Sequence, residues 1–140
     1  MVMSKIPVYF MPGLAASPTI FENIKLPEDQ FEMHFLEWFL PNDKESIESY
    51  ALRMTEKIQD PVLVGVSFGG ILVQEMAKHI KTQKVIIISS VKSNTEFPPR
   101  LKIARATKAY KLLPTQLLSN VELLVKYAFG NNIVAKRLKL

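Results

Sequence analysis

At 140 residues, with 48% hydrophobic content and a formal net charge of +5, the chain is sized for one folded domain with a substantial core, which excludes a disordered polymer. It contains no cysteine, so a disulfide framework, a thiolate metal site and a cysteine nucleophile are all excluded. The same absence suits a reducing compartment, and a cytoplasmic location is expected.

No stretch approaches the roughly 18 to 20 uninterrupted apolar residues of a membrane-spanning helix, so no integral membrane segment is expected. The opening residues, Met1 to Ser17, resemble a signal peptide only faintly: Pro7 and Pro12 interrupt the apolar run, and a strand is the better reading. Lys5-Ile6-Pro7-Val8-Tyr9-Phe10-Met11 is β-branched and aromatic and is closed by Pro12-Gly13, the pattern of a buried strand ending in a tight loop. A second strand is expected over Phe31 to Trp38. Pro41-Asn42-Asp43 follows it, and Asn42 with Glu45 three residues on has the form of a capping box, which predicts a helix start there. Ile47, Tyr50, Ala51, Met54 and Ile58 then recur at the spacing of a one-faced amphipathic helix, which Asp60-Pro61 stops.

Val62-Leu63-Val64-Gly65-Val66 is a continuous apolar run after Pro61, the signature of a parallel strand buried on both faces. Leu72, Val73, Met76 and Ile80 predict a helix from Gly69 to Ile80, and Lys84 to Ser89 reads as the next strand. The order β, β, α, β, α, β predicts an α/β fold: a parallel sheet with right-handed crossovers and helices on both faces, its sites at the carboxyl ends of the strands.

After Ser90 the pattern becomes helical throughout, in pieces over Arg100 to Leu113, Pro114 to Leu118, Val121 to Phe129 and Ile133 to Leu140, with Ser119 and Glu122 as a further capping box and Gly130 as a stop. Charge changes at the same place. From Arg100 onward there are nine Lys/Arg and only Glu122, about +8, whereas the preceding part is near −3. Such asymmetry marks an anionic partner, a solvated helical face, or a segment whose acidic counterpart lies elsewhere. Lys102, Arg105, Lys108 and Lys111 interleave with Ile103, Ala106 and Tyr110 as on an amphipathic helix, without the aromatic clustering of single-strand binders, so no nucleic acid partner is expected.

The segment with chemistry in it is Gly65-Val66-Ser67-Phe68-Gly69-Gly70. A bare Gly-x-Ser-x-Gly is weak, arising by chance in roughly 5% of chains this long. Its setting between an apolar strand and an amphipathic helix is what gives it weight. A strand that turns directly into a helix forces the serine into a sparsely populated conformation, and side chains two residues to either side would collide, so glycine is wanted at 65 and 69. Gly70 adds room for helix-to-sheet packing. The turn lifts the Ser67 hydroxyl above the sheet and puts the Phe68 N–H at a helix N-terminus, where an oxyanion can be held. An ordinary tight β-to-α turn is the plainer alternative. With no Gly-Lys-Ser/Thr ending and no Gly-x-Gly-x-x-Gly, a nucleotide loop is not supported, and neither a cofactor nor a metal is expected.

These residues, in this setting, resemble the α/β-hydrolase fold of compact bacterial members, entered at the strand before the oxyanion loop. The resemblance implies a core over residues 1–92 and a helical cap over 93–140. It implies that Pro12-Gly13-Leu14 is the oxyanion loop, with the Leu14 N–H as second donor; Pro12 stands where many members have histidine, which leaves that donor unaltered. It further implies a serine hydrolase cleaving an ester or related acyl bond of a small-molecule substrate through Ser67, with the triad acid and histidine expected beyond residue 140 and the core therefore incomplete. The chain's two histidines do not occupy the base's place: His79 is twelve residues beyond Ser67 and His34 belongs to the second strand. Glu96 stands where a minority of members carry the acid. Trp38 and Phe39 are candidates for a substrate pocket or for the core, and leucines 112, 113, 117, 118, 123 and 124 of the cap favour an apolar acyl or alcohol group. The rival reading is a non-catalytic ligand-binding or protein-interaction module on the same fold. A sheet of four strands leaves bare edges, to be covered by further sequence or by a partner such as a homo-oligomer's second copy.

Overall fold

The computed structural model describes residues 3–14, 16–96 and 99. The expected cap helices from Arg100 to Leu140, with their basic residues, leucines and the Ser119–Glu122 box, lie outside the described residues. The chain divides into two units, Met1–Lys92 and Ser93–Leu140. Of the second, the described part includes the 3₁₀ turn Asn94–Glu96.

The first unit is an α/β layer. Strands β1 (Ile6–Met11), β2 (Phe31–Phe35), β3 (Val62–Val66) and β4 (Lys84–Ile88) form a parallel four-stranded sheet in the order β2-β1-β3-β4. Helix α1 (Ile47–Thr55) links β2 to β3, and α2 (Phe68–Met76) links β3 to β4. Val8 pairs with both Met33 and Val62, and Val62 with Lys84, so the four carboxyl ends lie along one edge of the sheet. The chain leaves β1 toward β2 and leaves β3 toward β4, in opposite directions. The carboxyl ends of β1 and β3 therefore flank a topological switch point, where a crevice opens.

Handedness assigns the faces. Both steps that travel from β2 toward β4 carry an α-helix, so right-handed crossovers put α1 and α2 on the same face, not on opposite faces as the alternation alone predicts. The side chains follow that rule. Met11, Leu63, Leu72, Val73 and Met76 form one core with Tyr50, Ala51, Met54 and Ile58 of the α1 region, while Val8, Phe10 and Val64 form the other with Phe21. The second face is covered by the short 3₁₀ helix Pro18–Phe21, whose N-cap Ser17 accepts a bond from the Thr19 N–H at 3.3 Å. Phe21 is 2% exposed, its ring tilted against that of Phe10 at 5.2 Å, and burying such a ring stabilises by roughly 1.5–3 kcal/mol.

Element ends differ from the sequence reading for local reasons. β2 stops at Phe35, because beyond the Leu36 N–H bond to the Phe10 carbonyl the next donor in the parallel ladder would be residue 12, and Pro12 has no N–H. α1 is capped by Ser46, whose hydroxyl accepts from the Ser49 N–H at 3.1 Å, and not by Asn42. Asn42 and Glu45 close a separate turn: the Asn42 N–H donates to Glu45 Oε2 at 2.8 Å, and the Glu45 N–H to the Asn42 carbonyl at 3.1 Å. α2 ends at Met76 rather than Ile80, as the Lys78 and His79 amides make tighter three-residue turns to the Glu75 and Met76 carbonyls.

Candidate active site

Ser67 occupies the one-residue junction between β3 and α2, with φ 54 and ψ −121. For a residue with a Cβ this conformation is strained by about 1–3 kcal/mol, and it persists only if its surroundings over-determine it. They do. The Ser67 N–H donates to the Ile88 carbonyl of β4 at 2.9 Å, while the Ser67 carbonyl accepts from the Gly70 N–H at 2.9 Å and from the Ser90 hydroxyl at 2.7 Å. The Ser67 side chain takes no part in these bonds. It makes no capping bond to α2.

The flanking glycines are required by space. A Cβ on Gly65 would stand 2.7 Å from the Gly70 Cα, and one on Gly69 would stand 2.6 Å from the Met11 carbonyl oxygen. Both obstacles are backbone, so the turn can be this tight only with glycine at each place. Gly70 abuts the Ser90 side chain, where an added Cβ would lie 2.5 Å from its Cβ.

The segment after β1 lies against this junction. Gly13 is placed so that a Cβ upon it would be 3.6 Å from the Ser67 Cβ. The Gly13 carbonyl accepts two bonds, from the Ala16 N–H at 2.9 Å and from the Trp38 indole Nε1–H at 2.8 Å. Phe68, first residue of α2, has no carbonyl four residues back within the helix, so its N–H is one of the open donors at the positive end of the helix dipole. Beside these groups is a pocket of about 400 Å³, largely apolar, whose lining includes Leu14, Trp38, Phe39, Tyr50, Phe68 and Leu72. Leu14 and Phe68, whose backbone N–H groups are the expected oxyanion donors, both line it.

An aromatic ladder builds the pocket wall. Phe39 stacks on Tyr50 at 4.3 Å, Tyr50 lies 6.0 Å from Trp38, and Trp38 lies 5.7 Å from Phe68. Trp38 and Phe39 therefore line the pocket, and Trp38 packs on the core as well. The Tyr50 hydroxyl holds the Phe39 backbone from both sides, donating to its carbonyl at 2.8 Å and accepting from its N–H at 2.9 Å; burial pushes the phenol pKa up. Arg53 caps the ladder, its guanidinium 4.5 Å from the Phe39 ring, and grips Glu45 with two bonds of 2.7 Å. That grip holds the Glu45 carboxyl below its ordinary range. The Glu45–Arg53 pair escapes a sequence reading because its signal, Glu45 three residues after Asn42, equally describes a capping box.

Neither histidine reaches Ser67. His34 pairs across the sheet with Tyr9, and Tyr9 with Leu63, which sets it roughly 16 Å from Ser67 by strand spacing and rise. It stacks on Tyr9 at 4.5 Å and meets Glu32 at 3.4 Å. His79 follows the far end of α2, at least the roughly 13 Å of that helix away, with its Nε2 buried and unpartnered among the described residues. Glu96 belongs to the second unit. Among the described residues no group of three or more His, Cys, Asp or Glu could hold a metal ion, and no helix is long and apolar enough to cross a membrane. In comparisons with known proteins, no family model matches the chain and no curated protein matches it.

Proposed function

We propose that Ser67 is the nucleophile of an α/β-hydrolase-type serine hydrolase that cleaves an ester or related acyl bond of an apolar small molecule. The observation that carries this reading is the backbone of Ser67: a strained residue at a strand-to-helix junction, braced by three backbone-directed bonds, with its hydroxyl uncommitted to the helix cap. Strain of this kind clusters at active sites and ligand clamps. The sheet order supports the reading too, since the serine follows β3 and the loop beside it follows β1, the two strands at the switch point.

In this mechanism the Ser67 oxygen attacks the acyl carbonyl while a histidine takes the hydroxyl proton, and the Leu14 and Phe68 N–H groups bind the oxyanion. The histidine returns the proton to the leaving group, and an acyl acceptor, water in a hydrolase, then releases the acyl group from Ser67. The apolar pocket receives the acyl or alcohol portion. The reading takes the triad acid and histidine from beyond residue 140.

The distance of both histidines from Ser67 favours a second reading, a non-catalytic module that keeps the junction as a fold element and uses the apolar pocket for binding. A fluorophosphonate probe separates the two. Labelling of the protein, abolished by Ser67→Ala, is expected for the enzyme. An unlabelled protein whose intact mass exceeds 15.9 kDa, and so carries sequence beyond Leu140, points to the binding module.

A further inference from the structure

The Gly13 carbonyl is held by two donors. A peptide carbonyl and the N–H of the next residue point in opposite directions across a trans bond, so whatever holds the Gly13 carbonyl also aims the Leu14 N–H. The local turn supplies one donor, the Ala16 N–H. The other comes from 25 residues away: the Trp38 indole N–H, at 2.8 Å and partly buried.

Trp38 is itself held on two sides. Its ring contacts Phe68, whose N–H begins α2, and Tyr50, whose hydroxyl clamps the Phe39 backbone next to it. The Arg53 guanidinium closes the far end of the ladder over Phe39. One continuous row of ring contacts thus links the carbonyl that orients the first oxyanion donor to the residue that carries the second. A partly buried indole N–H requires an acceptor in any case; here that acceptor is the carbonyl of the peptide whose N–H belongs to Leu14.

We infer that Trp38 is the positioning residue of the oxyanion site: its indole N–H, by holding the Gly13 carbonyl, fixes the direction of the Leu14 N–H beside Ser67. The inference rests on the reading of Ser67 as nucleophile. It assigns Trp38 no contact with the reacting atoms. Its effect passes through one peptide plane, so losing the indole N–H removes one of two holds on Gly13 and leaves the turn bond from Ala16.

The test replaces the indole N–H while keeping the ring. 3-Benzothienylalanine, introduced at position 38 by codon suppression, exchanges the N–H for sulfur with nearly unchanged shape; Trp38→Phe is the genetically encoded companion, and circular dichroism confirms that each is folded. n-Butylboronic acid is the probe, since its tetrahedral serine adduct places an oxygen where the oxyanion would sit. Boron NMR reads adduct formation, and ¹⁵N–¹H spectra read the Leu14 and Phe68 amides. In the parent protein both amides are expected to shift on adduct formation. With the benzothienyl side chain the Phe68 shift should persist, the Leu14 shift should shrink, and the boronate should bind about 10-fold more weakly, between the loss of one ordinary hydrogen bond and of a whole oxyanion donor. An undiminished Leu14 shift with unchanged affinity overturns the inference.

Absence of any adduct with the parent protein is a different failure, that of Ser67 as nucleophile. The brace is then decided by the Leu14 N–H residual dipolar coupling in ligand-free protein: a change on removing the indole N–H supports it, and an unchanged coupling refutes it.

Discussion

Two opposed effects act on Gly69→Ala, and the structure decides between them. Gly69 lies within α2, where alanine is preferred over glycine by about 1 kcal/mol, so helix propensity alone predicts stabilisation. The added Cβ, however, would stand 2.6 Å from the Met11 carbonyl oxygen and 3.0 Å from the Pro12 carbonyl carbon, and nearer still to the Pro12 oxygen. These atoms belong to the end of β1 and the loop behind it, so no side chain can rotate aside; β1, paired on both edges, or α2 must shift. Overpacking of this kind costs roughly 1–3 kcal/mol, and a backbone obstacle belongs at the upper end. The net is a destabilisation of about 2 kcal/mol, or roughly 6–8 °C in midpoint for a domain of this size. Thermal unfolding followed by far-ultraviolet circular dichroism measures it, with Gly13→Ala as control. At Gly13 the new Cβ meets the Ser67 Cβ and Val66 carbonyl oxygen at an ordinary 3.6 Å, so that variant should stay within about 1 kcal/mol of the parent. A Gly69→Ala midpoint at or above the parent's, or an equal loss in both variants, refutes the steric account of the junction.

Ser67→Gly should relieve the strain at φ 54 and raise stability by about 1 kcal/mol after the unfolded-state entropy of glycine is set against it, whereas Ser67→Ala keeps the strain and should not; equal urea midpoints for the two would count against a strained serine. The Glu45–Arg53 pair makes folding acid-sensitive. Because Arg53 lowers the Glu45 pKa beneath its ordinary 4.5, the pair's contribution is complete above that value and is lost as pH falls through the depressed folded-state pKa. Glu45→Gln should therefore flatten the acid limb of the melting-temperature profile below about pH 5, and an unchanged limb would assign the acid loss to other carboxylates.

Residues near one another in the chain made the strands, the strand-to-helix turn at Ser67 and much of α1 legible. The run Val62–Val66 is apolar at every side chain because β3 pairs on both edges and is packed on both faces, and the glycines around Ser67 answer collisions within the same short turn as well as with β1. The α1 periodicity survives as a buried stripe of Tyr50, Ala51 and Met54. Its start differs from the expected one because Asn42–Glu45 and Ser46–Ser49 both offer a side-chain oxygen to an amide three residues away, and only the path of the chain decides which turn the helix continues.

The position of Ser67 at a strand-to-helix turn was written in the sequence itself, since the alternation of apolar runs, glycines and helical periodicity is set by contacts within a few residues. What surrounds that serine was decided only by the tertiary structure. Both helices packed on one face, β1 was brought alongside β3, and Trp38 was carried to the Gly13 carbonyl and Ser90 to the Ser67 carbonyl across separations of 25 and 23 residues. A tryptophan after a strand has the same local signature whether it fills a core or braces a loop. The partner that distinguishes these roles is distant in the chain, and only the folded sheet brings the two together.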